Sequence, residues 1–417
     1  MHILLIHQAF TALDEPGGTR HHELARCLAA QGHRVTVIAS LVSYMTGEKT
    51  SPTSPSLVTS PAERAGGGIP AGNEVQGEVR ILRANTYSAL HKSFVHRVLA
   101  FVSFMTSSFF LGLEVKQVDL VWGTSPPIFQ GATAWLLARL KRVPLLFEVR
   151  DLWPKFAVAV GVLTNPLLIR MSEWLERFLY RSADRVMVNS PGYLEHVQSR
   201  GAKRVDIVTN GADPEIFDPV DDGVAFRTRH LLADKFVVLY AGAHGVSNDL
   251  GVVLESARLL NDMPQVRIVF LGDGKEKNHL KEQARKLRLT NVLFLPPVPK
   301  KEVPAMLAGA DACLAILKPI EAYKTTYPNK VFDYMAAGRP IALAIDGEIR
   351  DVVEAAGGGV FAQPGDPAAL ANAIRALVND PVYSRAMGMA GRRYIEAHFS
   401  RAVLAEKLGR IMEEMVT

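Results

Sequence analysis

Short apolar runs recur along the chain, set between longer stretches of mixed polarity. Ile3 to Ile6 is the first run and Val35-Thr36-Val37-Ile38 the second. Between them Pro16-Gly17-Gly18-Thr19 punctuates, His21 to Ala30 has helical periodicity, and Gly32-His33 ends it. A strand-length run, a glycine loop, a helix and a β-branched run together predict a βαβ unit. The rhythm resumes at Val79-Arg80-Ile81-Leu82 and continues through Leu120-Val121-Trp122, Leu145 to Val149, Arg185 to Val188 and Val205 to Val208. A second series starts with Phe236 to Tyr240 and runs through Val266 to Phe270, Val292 to Leu295, Ala312 to Ile316 and Pro340 to Ala344. Alternating units of this kind build parallel sheets covered by helices on both faces. The expectation is an α/β chain of two doubly wound Rossmann-like domains, residues 1–210 and 211–417. Turn residues cluster at the joint, Asn210-Gly211-Ala212-Asp213-Pro214. A Ser, Pro, Gly and Thr-rich tract over 46–77 cannot supply a core and is expected to be a mobile surface insertion.

Composition narrows this picture without redrawing it. A chain of 417 residues, 48% apolar and 21% charged, has enough apolar material for two cores. Cys27 and Cys313 are far apart and lack metal-ligand spacing, so a disulfide framework is not expected and a reducing compartment is. Met1 to His7 has neither a basic n-region nor a small-residue cleavage site, which predicts a cytoplasmic protein. A net charge of +5 suits binding of phosphates or acidic lipid surfaces. No zinc spacing, aromatic and basic interleaving or helix-turn-helix signature points to nucleic acid.

In an open parallel sheet, ligands bind beyond the carboxyl ends of the strands, where helix-start amides hold phosphate oxygens. Glycine turns follow three strands here: Gly17-Gly18, Gly242-Ala243-His244-Gly245 and Gly272-Asp273-Gly274. An ordinary tight turn accounts for any one of them. Three at equivalent places favour a phosphorylated ligand, and none has the spacing of a dinucleotide site or a P-loop. His244 is either a phosphate donor or a plain loop histidine.

The most informative stretch runs from Tyr323 to Pro340. Pro328 is placed to start a helix, Gly338 to end it and Pro340 to prevent its continuation. Lys330 and Asp333 share one helix face. Singly, the lysine reads as a solvated cation and the aspartate as a helix-dipole partner. Together they suit a nucleotide diphosphate, with an ammonium for the phosphates and a carboxylate for the ribose hydroxyls. Arg150-Asp151 follows an apolar strand and is expected at its carboxyl end, as substrate-facing groups or as an ion pair supporting Trp153-Pro154. Glu148 is expected to pack or pair beneath them, and His21 and His22 to be solvated at a helix start. No Asp-x-Asp occurs, so no metal site is expected.

The segment 94–113 carries Phe94, Phe101, Phe104, Phe109 and Phe110, with no charge from Val98 to Leu113. It reads either as a buried core helix or as an interfacial helix flanked by His91-Lys92 and His96-Arg97.

Pro328-Asn329-Lys330-Val331-Phe332-Asp333-Tyr334-Met335-Ala336-Ala337-Gly338-Arg339-Pro340-Ile341 resembles the donor-site segment of retaining GT-B glycosyltransferases of family 4. Within that family the chain is similar to O-antigen and capsule amino-sugar transferases of the N-acetyl-L-fucosamine transferase type. Pro16-Gly17-Gly18, Arg150-Asp151-Leu152-Trp153-Pro154, Asn210-Gly211-Ala212-Asp213, Gly272-Asp273-Gly274, Phe294 to Pro299, Gly357-Gly358-Gly359 and Gln363 to Pro367 carry the resemblance over nearly the whole chain. It implies two domains facing a central cleft, an acceptor-side domain first and a nucleotide-sugar donor domain second, with the last helix returning to the first. It implies retaining transfer, without metal or other cofactor, of an N-acetylated amino sugar from a UDP donor. The implied acceptor is a glycan or polyprenyl-linked sugar of cell-surface polysaccharide at the inner membrane face, with peripheral membrane contact through 94–113. Arg150, Asp151 and Lys330 are the implied catalytic residues. Gly17, Gly18, Gly242, His244, Gly245, Gly272, Thr325, Asn329 and Asp333 are the implied donor-site residues. The chain departs from the family pattern at Thr325, where an acid is usual, at Asp333, one methylene shorter than Glu, at Arg150, where His is frequent, and in the loop after Tyr240, which lacks Arg or Lys. A non-hydrolysing nucleotide-sugar epimerase and a non-catalytic nucleotide-sugar binder are the alternatives.

Overall fold

The computed structural model describes residues 1–11, 18–42, 47, 73–76, 79–88, 94–218 and 223–417. Pro16, Gly17, Lys92 and most of the expected 46–77 insertion lie outside the described residues. The chain divides into two compact units, one made of Met1–Thr209 with Arg401–Thr417, the other of Asn210–Ser400.

The first unit carries β1 (His2–Ile6), β2 (Arg34–Ser40), β3 (Asn73–Gln76), β4 (Val79–Ala84), β5 (Leu120–Ser125), β6 (Leu145–Val149), β7 (Arg185–Val188) and β8 (Val205–Ile207). They form one sheet in the order β3-β4-β2-β1-β5-β6-β7-β8. All neighbours are parallel except β3, which runs antiparallel to β4 with Asn73 opposite Leu82. Near the end of the tract expected to be a mobile surface insertion, Asn73–Gln76 pairs with the sheet edge at β4.

Alternate residues of the central strands feed two cores. Leu4, Ile6, Val121, Phe147 and Val186 face one side, where the helices Phe94–Glu114, Phe129–Lys141 and Pro166–Ser182 bring Phe104, Leu137 and Leu179. Ile3, Leu5, Trp122, Leu146 and Met187 face the other, covered by Arg20–Ala30 and Arg401–Val416 through Leu24, Leu28, Leu404 and Leu408. Burial on both faces is why these strands read as unbroken apolar runs.

The helix Phe94–Glu114 turns Ala100, Phe104, Ser108 and Gly112 inward. A Cβ on Gly112 would stand 2.4 Å from Leu137 Cδ1, so the glycine sets how closely this helix meets Phe129–Lys141. The idea of a lipid-facing phenylalanine face is corrected here. Phe104 is core and Phe101 stacks on Phe129, while the exposed stripe is Leu99, Val102, Phe110 and Leu113. Among the described residues no helix is long and apolar enough to cross a membrane.

The second unit carries β9 (Phe236–Ala241), β10 (Val266–Leu271), β11 (Val292–Leu295), β12 (Ala312–Ile316), β13 (Ile341–Ala344) and β14 (Gly359–Phe361). They form a parallel sheet in the order β11-β10-β9-β12-β13-β14. β14 begins on Gly359, the last of the run Gly357-Gly358-Gly359. Only glycine fits there, since a Cβ on Gly359 would lie 2.4 Å from Ile341 O. The winding direction reverses between β1 and β5 in the first sheet and between β9 and β12 in the second. Such reversals open a crevice at the carboxyl ends of the strands.

Candidate functional site

In the second unit the loops leaving β9 and β10 cross backbone on backbone. Gly242 has φ +149° and Gly272 φ +143°. A Cβ on Gly272 would stand 2.0 Å from Gly242 O, and one on Gly274 2.5 Å from His244 O. His244 N donates to Asp273 O at 2.8 Å, and Glu276 N donates to His244 O at 2.9 Å, tying the loops together. Gly245 and Asn248 close the first loop, with Asn248 N donating to Gly245 O at 3.0 Å.

The helix Asn329–Ala336 points its start at these loops' strand ends. Pro328 is the residue before the helix rather than its first residue, with an extended φ/ψ, and no side chain caps the first turn. Gly338 at φ +66° ends the helix, its N–H donating to Met335 O while Arg339 N donates to Tyr334 O. Val331, Phe332, Met335 and Ala336 are buried, which leaves Lys330 on the face turned to the loops. Its Nζ donates to Tyr240 Oη at 2.8 Å and Asn248 Oδ1 at 3.2 Å, and lies 4.1 Å from the Tyr240 ring centroid. A Cβ on Gly242 would be 3.1 Å from this nitrogen. Burial pushes the amine down to about 7.

Asp333 lies one turn on. Its Oδ2 accepts from Lys300 Nζ at 2.6 Å and from Asn329 Nδ2 at 3.2 Å. The carboxylate expected for ribose is thus already ion-paired, with Lys300 and Asp333 both largely buried. Thr325 spends its hydroxyl proton on Ala322 O at 2.8 Å, closing the turn Glu321–Thr325. His244 reads from the sequence as either a phosphate donor or a plain loop histidine. It is fully buried among Tyr240, Phe270 and Phe294, and burial, followed by Lys277, pushes it down to about 4.

In the first unit the carboxyl ends of β1, β5 and β6 gather a buried polar network. Glu148 is fully buried and accepts from His21 Nε2 at 2.7 Å, Trp122 Nε1 at 3.1 Å and Arg20 Nε at 3.1 Å. Burial alone would raise the carboxyl, but the His21 and Arg20 contacts overcome it and hold it at about 2. Arg20 also donates to Val208 O and Thr209 O. Burial holds His21 down to about 4, so at neutral pH its ring is uncharged and the cation facing Glu148 is Arg20. The expectation that His21 and His22 are solvated is corrected: both are buried, because the first turn of Arg20–Ala30 packs against β6. His7 packs against His21 at a tilt, with ring centroids 4.0 Å apart.

His7 is joined to Gln130 through Thr124. Gln130 Oε1 accepts from Gln8 N, so Gln130 Nε2 donates to Thr124 Oγ1 at 2.7 Å. Thr124 Oγ1 in turn lies 2.8 Å from His7 Nδ1, within hydrogen-bond reach. An acid inside the apolar strand Leu145-Leu146-Phe147-Glu148-Val149 was the signal for this network, since a buried carboxylate requires donors.

Arg150 and Asp151 do lie just past β6. Arg150 N donates to Ser125 O at 2.9 Å and its Nη2 to Pro126 O, while Asp151 is exposed and its O accepts from Trp153 N at 2.8 Å. Gly18 is exposed with nothing within 4 Å of where its Cβ would be. Gly17 is outside the described residues. Among those residues no three His, Cys, Asp or Glu side chains gather as metal ligands.

Comparison with known proteins places both units. Residues 17–212 match the family described as Glycosyl transferase 4-like domain, and 235–380 match Glycosyl transferases group 1. WcaI of Escherichia coli (strain K12), named for colanic acid biosynthesis as a glycosyl transferase, is 25% identical over 328 residues, 76% of each chain. Among solved structures, sucrose-phosphate synthase of Thermosynechococcus elongatus superposes with a TM-score of 0.77 at 20% identity, covering 99% of this chain and 98% of that one. Anabaena Alr3699/HepE in complex with UDP and glucose superposes with a TM-score of 0.73 at 16% identity, covering 99% and 100%.

Proposed function

Since the chain is a GT-B glycosyltransferase of the group 1, family-4-like kind, with a glycosyl transferase domain matched in each unit, we propose that it moves an N-acetylated amino sugar from UDP to a hydroxyl acceptor with retention. The observation that carries this reading is Lys330, held by neutral partners beside Gly242 at the uncapped start of Asn329–Ala336. Helix-start amides and one ammonium meet a diphosphate where charge develops as it leaves. UDP as the nucleotide is supported by the fold shared with Anabaena HepE, whose structure is described with UDP and glucose. In this mechanism the bond from the sugar's anomeric carbon to the β-phosphate oxygen breaks. The acceptor oxygen bonds that carbon from the same face, and its proton passes to the departing phosphate oxygen. Lys330 and the amides carry the leaving charge without a metal ion. Asp333, oriented by Lys300, takes the ribose hydroxyls, and Arg150 and Asp151 serve the acceptor side.

The acceptor in this proposal is a glycan or polyprenyl-linked sugar of cell-surface polysaccharide, met at the cytoplasmic face of the membrane. WcaI, named for colanic acid biosynthesis, supports the pathway class. Membrane contact rests on the exposed Leu99, Val102, Phe110 and Leu113, and on Leu167, Met171 and Trp174 of Pro166–Ser182, with Arg170, Arg177 and Arg181 exposed on that same helix. Apolar side chains with arginines alongside suit an anionic bilayer surface. The test is UDP release from a panel of UDP-N-acetyl sugars, with and without lipid extract and with EDTA. Lipid-dependent, EDTA-resistant release supports the reading. Epimerised sugar would point to an epimerase, binding without turnover to a binder, and dependence on added Mg²⁺ would overturn the metal-free step.

A further inference from the structure

A three-residue turn ties two other segments of the second unit together. The turn Val246–Asn248 follows Gly245 directly, and Asp249, at φ +47°, closes it. Ser247 Oγ accepts from Tyr323 Oη at 2.6 Å, and Ser247 O accepts from Lys318 N at 3.0 Å. Both partners come from the chain leaving β12, and Tyr323 is itself buried, its N–H donating to Ile320 O at 2.8 Å. Asn248, the next residue, reaches the helix Asn329–Ala336 instead, where its Oδ1 accepts from Lys330 Nζ at 3.2 Å.

A lysine head sits on a flexible four-carbon stem, so a charge meant for one ligand atom has to be held in place. Two neutral acceptors do this from different elements, Tyr240 from β9 and Asn248 from the turn. The Tyr240 hydroxyl spends its own proton on Ala243 O at 2.7 Å, which leaves its oxygen to accept. The Tyr240 ring face at 4.1 Å and the partial exposure of Lys330 suit an ammonium. A carboxylate partner would hold the nitrogen but cancel its charge, and the acid of the same helix, Asp333, is bound by Lys300 and Asn329. Held by neutral groups, the ammonium keeps its charge for a ligand beside the bare Cα of Gly242. Tyr240 is fixed by its strand, whereas Asn248 depends on a loop. The bonds from Tyr323 and Lys318 to Ser247 are what fix that loop.

We propose that Asn248 is a positioning residue for the departing diphosphate, holding the Lys330 ammonium against the terminal phosphate. This rests on the donor reading above and adds the group that aims the charge. Such a role acts through Lys330, so it bears on the terminal phosphate and spares the rest of the nucleotide. It also vanishes when Lys330 is gone.

The experiment is calorimetric titration of the full chain with UDP and with UMP, with GDP and GMP run in parallel, because the ratio of the two affinities isolates the terminal phosphate. In the parent UDP should bind roughly 10–100-fold more tightly than UMP, the range of a charged hydrogen bond, and Lys330→Ala should remove most of that preference. Asn248→Ala should lower the preference roughly 2–10-fold, the worth of one ordinary hydrogen bond, with UMP affinity within about twofold of the parent's. Asn248→Leu, which fills the same space without an acceptor, should match it. Asn248→Ala added to Lys330→Ala should cost nothing further. Equal loss of UDP and UMP affinity in the Asn248 variants, an unchanged preference, or a further loss in the double variant would overturn the proposal. A parent that binds no nucleotide or binds UDP no better than UMP, or a preference that survives Lys330→Ala, would reject the donor reading itself.

Discussion

Replacing Glu148 by Gln keeps the shape of the side chain and removes its charge, at a place where every neighbour is a donor. Arg20 Nε, His21 Nε2 and Trp122 Nε1 converge on the two carboxylate oxygens. An amide has one oxygen. If it faces His21 and Trp122, its NH2 meets the Arg20 guanidinium; if it faces Arg20, the NH2 meets the indole N–H. Either way one charge-assisted bond is lost, and Arg20 stays buried without its counter-charge. Breaking a buried pair from one side costs about 3–5 kcal/mol. For a unit of this size that cost amounts to a melting transition lowered by roughly 6–20 °C at pH 7. Because the folded pKa is depressed, the contribution is lost as pH falls from about 4.5 toward 2, and the gap between parent and variant should close over that window. Differential scanning calorimetry from pH 7 to pH 3 measures both. A gap under about 1 kcal/mol at pH 7, or one that does not narrow in acid, would refute the assignment of Glu148 as a charge held by its donors.

Gly272→Ala meets Gly242 O at 2.0 Å and adopts φ +143°, so it should destabilise the second unit by roughly 1–3 kcal/mol and weaken UDP binding, read by denaturation and titration together. Asp333→Asn should weaken nucleotide-sugar binding by roughly 1–3 kcal/mol, and Lys300→Met should follow it in the same direction; unchanged affinity in both would remove the carboxylate from the donor site. Phe110→Ser with Trp174→Ser, at positions 60% and 64% exposed, should each stay within about 0.5 kcal/mol of parental stability. The same pair should lose binding to anionic liposomes in a sedimentation assay, and parental liposome binding would argue for a soluble acceptor.

Strands buried on both faces announced themselves as runs in which apolar residues predominate. The two strands that sequence reasoning passed over are edge strands: β3 is polar at Asn73, Glu74 and Gln76, and β14 begins on a glycine run. Punctuation located the helix Asn329–Ala336, one residue from where Pro328 suggested. Partners separated along the chain were invisible. Lys300 is 33 residues from Asp333, and Arg20 and His21 are 128 and 127 from Glu148. No spacing rule joins such positions; only the winding of the sheet does. The helix Phe94–Glu114 failed for the opposite reason, since it is apolar on both faces and periodicity cannot say which one meets the sheet.

The first unit is discontinuous, closed by Arg401–Val416 after the whole of Asn210–Ser400 has intervened. A ribosome adding roughly 5–20 residues per second needs about 10–40 s to make that intervening stretch. Through this interval Leu24, Leu28 and their neighbours lack the side chains of Leu404, Leu408 and Met412 that cover them in the finished protein. The second unit can complete its own sheet in the meantime, so the part of the chain made first is the part finished last. Nascent chains halted before Arg401 should therefore present an uncovered apolar seam to chaperones, and chains carried past Val416 should not.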